Sequence, residues 1–135
     1  MIARTRYSLV IAVATILITL CFAEVMRGED PVMANREALA RDLTNLALRA
    51  QDFYHRPLSK GGGQGSFVLL TADLPGMAKL TSKVINSNGT YSIWMAGTAT
   101  QVVLSGRGTQ KGSDGSPLYF HIQVFADSMY MTFNN

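Results

Sequence analysis

Arg56-Pro57-Leu58-Ser59-Lys60-Gly61-Gly62-Gly63-Gln64-Gly65-Ser66-Phe67 holds four glycines and two cations within twelve residues. A glycine run of this kind cradles phosphate when it feeds its amides into the N-terminus of a following helix. Here the helical pattern lies on the other side. Leu39, Leu43, Leu46, Ala50 and Phe53 recur at spacings of four, three, four and three, which is one buried stripe of an α-helix. Arg36, Glu37, Arg41, Asn45, Arg49 and Asp52 fall on other faces, with Glu37 and Arg41 in the favourable i,i+4 order. Pro57 ends the pattern, because it restricts Arg56 and cannot continue the ladder. After the glycines comes Ser66-Phe67-Val68-Leu69-Leu70-Thr71, apolar and β-prone. The order is helix, loop, strand, the reverse of a phosphate loop, and no Gly-Lys-Ser/Thr triplet occurs. The glycine run is therefore read as a joint that turns the chain back across its helix, with glycines supplying positive φ and close approach.

Downstream the pattern is β. Asn88-Gly89 is a hairpin signal, flanked by a run up to Asn86 and by Thr90 to Met95, in which Tyr91, Ile93 and Met95 share one face. Gln101 to Ser105 reads as the next strand, and Arg107 to Pro117 as a polar, glycine-rich loop. Leu118, Phe120, Ile122 and Val124 alternate with Tyr119, His121, Gln123 and Phe125; Met129, Met131 and Phe133 alternate with Tyr130, Thr132 and Asn134. Ala126-Asp127-Ser128 joins these two strands tightly. Short turns favour an antiparallel meander whose apolar face needs a cover, which the striped helix provides. The expected fold is α+β, a long N-terminal helix packed on a small antiparallel sheet. Its globular part covers 31–135, with an amphipathic helix over 31–56, a glycine-rich turn over 57–66 and the sheet over 66–135.

Residues 1–30 form a separate segment. From Tyr7 to Ala23 seventeen residues carry no charge; Arg4 and Arg6 precede them, and Glu24, Arg27, Glu29 and Asp30 follow. That asymmetry predicts an N-terminus kept in the cytoplasm and a remainder moved across the membrane. Seventeen residues span about 25 Å as a helix, which fits a short membrane anchor and a long cleavable export signal alike. Cys21-Phe22-Ala23 is an undistinguished match to a signal-peptidase site, and Leu20 before Cys21 disfavours lipidation. A segment apolar all round has two homes, the bilayer or a bundle of equally apolar helices. Leu9, Val10, Ile11, Val13, Ile16, Leu17 and Leu20 are the residues expected to mediate membrane insertion and assembly.

The chemistry-bearing residues are few. Cys21 is the only cysteine, so an intramolecular disulfide is excluded. The net charge of +3 is spread among alternating acids and bases, which is no nucleic-acid footprint. His55 sits at the expected helix end, where the dipole favours it, and His121 lies in mid-strand opposite Phe120 and Ile122, so the two read as a helix-end and a sheet-surface residue. The acids show neither paired-carboxylate nor calcium-loop spacing. Asn88-Gly89-Thr90 also matches a glycosylation triplet, although the hairpin explains it. Catalytic, cofactor and metal sites are therefore not expected, nor is a small-molecule substrate. Trp94, opposite Ile93 and Met95, is the large aromatic expected to meet a partner.

An apolar N-terminal segment, a proline-containing junction at Asp30-Pro31, an amphipathic helix, a glycine turn and a small antiparallel sheet together resemble the layout of bacterial type IV pilins and pseudopilins. More closely, the segment from Asn35-Arg36-Glu37-Ala38-Leu39 through Asp42-Leu43, Asn45-Leu46, Gln51, Tyr54 and Arg56-Pro57 to the Gly61–Phe67 run resembles small bacterial proteins with the same anchor-plus-sheet plan, a minimal pilin-like group. In prepilins the cut follows a glycine, leaving an aromatic N-terminus with a glutamate close behind; here no glycine precedes Tyr7 and the first acid is Glu24. The resemblance implies a non-enzymatic structural subunit, held in the inner membrane by its N-terminal helix and then self-associated into a filament at the cell surface. The other expectation is an anchored or secreted binding module that does not polymerise.

Overall fold

The computed structural model describes residues 28–134. Helix α1 spans Pro31–His55 and a short α2 spans Leu74–Ala78; the strands are β1 (Gly89–Met95), β2 (Gln101–Lys111), β3 (Pro117–Phe125) and β4 (Met129–Asn134). The strands pair antiparallel in the order β1-β2-β3-β4, so the domain is α+β with one long helix on a meander.

Helix α1 opens on proline, whose missing N–H costs nothing in a first turn. It buries Leu39, Leu43, Leu46, Ala47, Ala50 and Phe53 against Val102, Leu104, Leu118, Phe120, Ile122 and Val124. It lies over β2 and β3, while α2 reaches β1. Its i,i+4 ion pair joins Asp52 to Arg56; Glu37 and Arg41 do not form one.

The glycine run caps the helix. The amides of Gly63, Gly65 and Gln64 donate to the carbonyls of Phe53 (2.7 Å), Tyr54 (2.7 Å) and Arg56 (2.9 Å), oxygens that a helix C-terminus leaves without partners. Approach is so close that a Cβ on Gly63 would stand 2.0 Å from the Ser66 carbonyl oxygen and 2.8 Å from the Phe53 ring. Gly61 and Gly65 adopt φ of +76° and +81°.

Three expectations need correcting. The sheet begins at Gly89 rather than 66. Ser66–Thr71 forms a turn, with Leu70 N–H donating to the Phe67 carbonyl (2.8 Å) and Ser66 Oγ accepting from Val68 N–H (3.2 Å). Phe67 and Leu70 are buried while Val68 and Leu69 face solvent. The apolar run thus has a period of three, not two. Asp73 then caps α2, accepting from Gly76 N–H (2.8 Å) and Thr71 Oγ1 (2.6 Å); these two bonds hold its carboxyl below the ordinary value.

Second, Arg107–Lys111 belongs to β2, and only 112–116 form the loop. Gly108 faces inward, where a Cβ would meet Asn35 Oδ1 at 2.5 Å and Leu39 Cδ1 at 2.9 Å. Its role is to let α1 approach the strand. Third, the Asn88-Gly89 turn has a strand on one side only. Its upstream arm is a single bridge, Ile85 to Thr90, and a bulge between Ile93 and Met95 turns Met95 out to solvent.

Candidate binding face

Because side chains alternate along a strand, the sheet face turned away from α1 carries Ser92 and Trp94 from β1, Val103 and Ser105 from β2, Tyr119, His121, Gln123 and Phe125 from β3, and Tyr130 from β4. Antiparallel register then decides which of these meet. Ser92 stands opposite Ser105, and Ser105 opposite His121. Trp94, at the bulge, leans across the sheet to β3. Its ring lies 5.0 Å from that of His121 and 6.2 Å from that of Tyr119, both edge-on, and Tyr119 and His121 are 5.1 Å apart. Edge-to-face packing at these distances is the favoured arrangement of aromatic pairs. Phe125 and Tyr130 form a second pair at 6.1 Å, and Gln123 Nε2 donates to Gln101 Oε1 (2.6 Å).

Trp94 remains 56% exposed, so the trio is a surface rather than a core. Beneath it the Ser92 and Ser105 hydroxyls share a hydrogen bond of 2.8 Å. That bond matters chemically: Ser105 is the cross-strand neighbour of His121, yet its hydroxyl is engaged by Ser92 and not by the imidazole. His121 Nδ1 is buried and has no hydrogen-bond partner among the described residues. A serine and a histidine side by side without a bond between them do not make an activated nucleophile. The face offers ring edges, amides and hydroxyls, which suits contact by stacking and shape.

A second cluster ties α1 to the Asn88-Gly89 turn. Asp42 Oδ2 accepts from Tyr91 Oη (2.5 Å), Asn88 Nδ2 (2.8 Å) and Asn86 Nδ2 (2.9 Å). Partial burial pushes the Asp42 pKa up, but these three bonds, with Arg41 nearby, outweigh it and hold it below 3.8. Burial, and then the bond to Asp42, raise the Tyr91 phenol above its ordinary range, so it stays a donor. Two turns earlier on α1, Asn35, itself buried, donates to the Asn88 carbonyl (2.7 Å) and accepts from Gln110 N–H (3.1 Å). A cleft of about 190 Å³ opens beside Asp42, edged by Arg49, Thr81 and Lys83. Of its lining, Asp42, Asn86 and Tyr91 hold α1 to the turn, and Arg49 donates to the Leu80 carbonyl (3.1 Å).

Of the residues singled out in the sequence, Leu39, Leu43, Leu46, Ala50 and Phe53 are buried between helix and sheet. Trp94 gathers Tyr119 and His121. His55 ends α1 with Nε2 3.1 Å from the Ala126 carbonyl oxygen and 3.3 Å from Asp127 Oδ1, pinning the β3–β4 turn. Leu9, Val10, Ile11, Val13, Ile16, Leu17 and Leu20 lie outside the described residues. Among the described residues no helix is long and apolar enough to cross a membrane, and no three potential ligands gather to hold a metal. Sequence reading gave Tyr119, Asn35 and Asp42 no site role. The outward phase of Tyr119 was visible, but its meeting with Trp94 depends on register across three strands.

Compared with known protein families, curated proteins and solved structures, the chain matches none.

Proposed function

We propose that this protein is a non-enzymatic structural subunit of a surface filament, pilin-like in plan. Residues Tyr7–Ala23 hold it in the inner membrane before assembly and pack among copies of themselves afterwards. The observation that carries this reading is positional. The apolar segment ends at Ala23, and α1, which opens at Pro31, is the element that covers β2 and β3 at the centre of the sheet. A segment that must leave water is thus joined by a short connector to the helix that organises the domain. The sheet face around Trp94, which no element among the described residues covers, is its outward surface.

A second reading, an anchored or secreted binding module that never polymerises, is favoured by the trio of Trp94, Tyr119 and His121. One preparation separates the two. Intact mass and electron microscopy of material shed from cells give filaments of chains retaining residues 7–23 under the first reading. A soluble monomer beginning at Glu24 refutes it in favour of the second. Under the first reading Ile16→Asp abolishes filaments while leaving the sheet domain folded, and filaments that survive it overturn the proposal.

A further inference from the structure

The two edges of the sheet differ. On the β1 edge, Tyr91 N–H donates to the Val84 carbonyl (2.8 Å) and the Gly89 carbonyl accepts from Asn86 N–H (3.0 Å), so the segment 84–86 covers it and a bulge interrupts it. Among the described residues the β4 edge has neither device. Its sequence, Met129-Tyr130-Met131-Thr132-Phe133-Asn134, contains no charge and no proline, the features that normally blunt an edge against another strand. Tyr130 and Phe133 are 65% and 58% exposed.

Hydrogen-bond parity says which backbone groups are open. Phe125 N–H donates to the Ser128 carbonyl (2.9 Å), so in the β3–β4 register the bonded pairs continue as Gln123 with Tyr130 and His121 with Thr132. Met129, Met131 and Phe133 therefore point their N–H and C=O groups away from β3. The same parity crosses the sheet and emerges at Tyr91 N–H on the far edge, where it has a partner.

We propose that β4 is a self-association edge: two copies of this chain pair β4 with β4, antiparallel, about a twofold axis at Met131. In that register Met131 bonds to its own counterpart and Met129 to Phe133, making about six backbone hydrogen bonds, more than a shift of two residues either way allows. The inner rows join Met129, Met131 and Phe133 of one copy to Phe133, Met131 and Met129 of the other. Charge selects the direction. The Arg36 guanidinium lies 5.7 Å over the Phe133 ring at one end of β4, and Asp127, 88% exposed beside His55, stands at the other. Both are on the helix side of the sheet. Antiparallel pairing keeps both helices on one face of the sheet and brings Asp127 of each copy to within two residues, roughly 7 Å along the strand, of the Phe133 end of the other with its Arg36; parallel pairing would put the two helices on opposite faces and leave neither charge near its complement.

The proposal goes beyond the filament reading and uses none of residues 7–23. Its test is single-cysteine cross-linking of the full chain in mild detergent, with Cys21→Ser removing the one native thiol. Met131→Cys is expected to oxidise to a dimer of twice the 14.7 kDa monomer, because bonded antiparallel pairs hold Cα atoms about 5.5 Å apart, within disulfide reach. Met129→Cys and Phe133→Cys should each fail alone, their copies being roughly 13 Å apart, and should cross-link when mixed. Met131→Lys, measured without oxidation by sedimentation, should remain folded and lose the dimer. Adding Ile16→Asp should leave the pattern intact, which separates this contact from assembly through the apolar segment. Equal cross-linking at all three positions, none at Met131, or a pattern lost with Ile16→Asp overturns the proposal.

Discussion

Gly108→Ala tests the packing that separates the folded chain from its sequence reading. Had 107–117 been a loop, an added methyl would be neutral or slightly favourable. In the structure it would sit 2.5 Å from Asn35 Oδ1, 2.9 Å from Leu39 Cδ1 and 3.1 Å from Leu118 Cβ, all inside ordinary contact of about 3.5–4 Å. Leu118 is on β3 and cannot retreat alone, so α1 or Asn35 must move. Overpacking of this kind costs about 1–3 kcal/mol. Displacing Asn35 weakens its bonds to Asn88 and Gln110, about 1 kcal/mol each. The intrinsic gain from replacing glycine in a strand returns roughly 0.5–1 kcal/mol. The expected net loss is about 2–4 kcal/mol, a fall of roughly 1–2 M in the urea midpoint. Urea unfolding of the full chain in mild detergent, followed by the fluorescence of Trp94, the sole tryptophan, measures it. Thr109→Ala, one residue away and exposed, is the control and should stay within about 0.5 kcal/mol. If Gly108→Ala matches that control, α1 does not approach β2 as described.

Asp42→Asn should cost about 1–3 kcal/mol at neutral pH, because it replaces a charged acceptor of three hydrogen bonds. Since the native Asp42 pKa is lowered below 3.8, its contribution is fully present above that value and is lost as pH falls through the native one; midpoints between pH 7 and 2 should fall less steeply in acid for the variant, and parallel curves would refute the role. Trp94→Ala should leave stability within about 1 kcal/mol, as expected for an exposed side chain, and a much larger loss by thermal unfolding would mean that the indole holds the sheet together.

What could be read from the sequence was whatever depends on local periodicity: the stripe of α1, its end before Pro57, and the alternation of β3 and β4. What could not was set by tertiary contact. The run Phe67 to Leu70 is as β-prone as any strand here, yet Phe67 bonds to Thr98 and Leu70 to Gly97, a docking site that exists only once β1 has turned. Gly108 was read as a loop signal, although it serves an approach made by residues some seventy positions earlier. Asp42 carries no local signal, because its partners lie 44 to 49 residues away. The candidate face divides the same way: Trp94 was exposed by phase alone, while Tyr119 and His121 joined it through register.

Edge pairing at β4 and insertion in a shared bilayer together restrict how α1 can lie. Within one chain α1 runs against β4, since Arg36 lies over Phe133 while Gln51 bonds to the Ser128 carbonyl at the other end (3.2 Å). A twofold axis through Met131 therefore sets the two α1 helices antiparallel, their first residues at opposite ends of the dimer. Each helix has 25 residues, about 37 Å, and residues 24–30 reach at most roughly 25 Å when fully extended. With the helices upright one start stands about 37 Å above the other, beyond a connector's reach, whereas with the twofold axis along the membrane normal both starts stand at equal height and both connectors can reach the bilayer. Two chains anchored in one bilayer can thus pair through β4 only with α1 lying along the membrane plane. The Met131→Cys cross-link formed in one shared vesicle would therefore require a flat α1, and its loss on passing from detergent to the vesicle would mark an upright one.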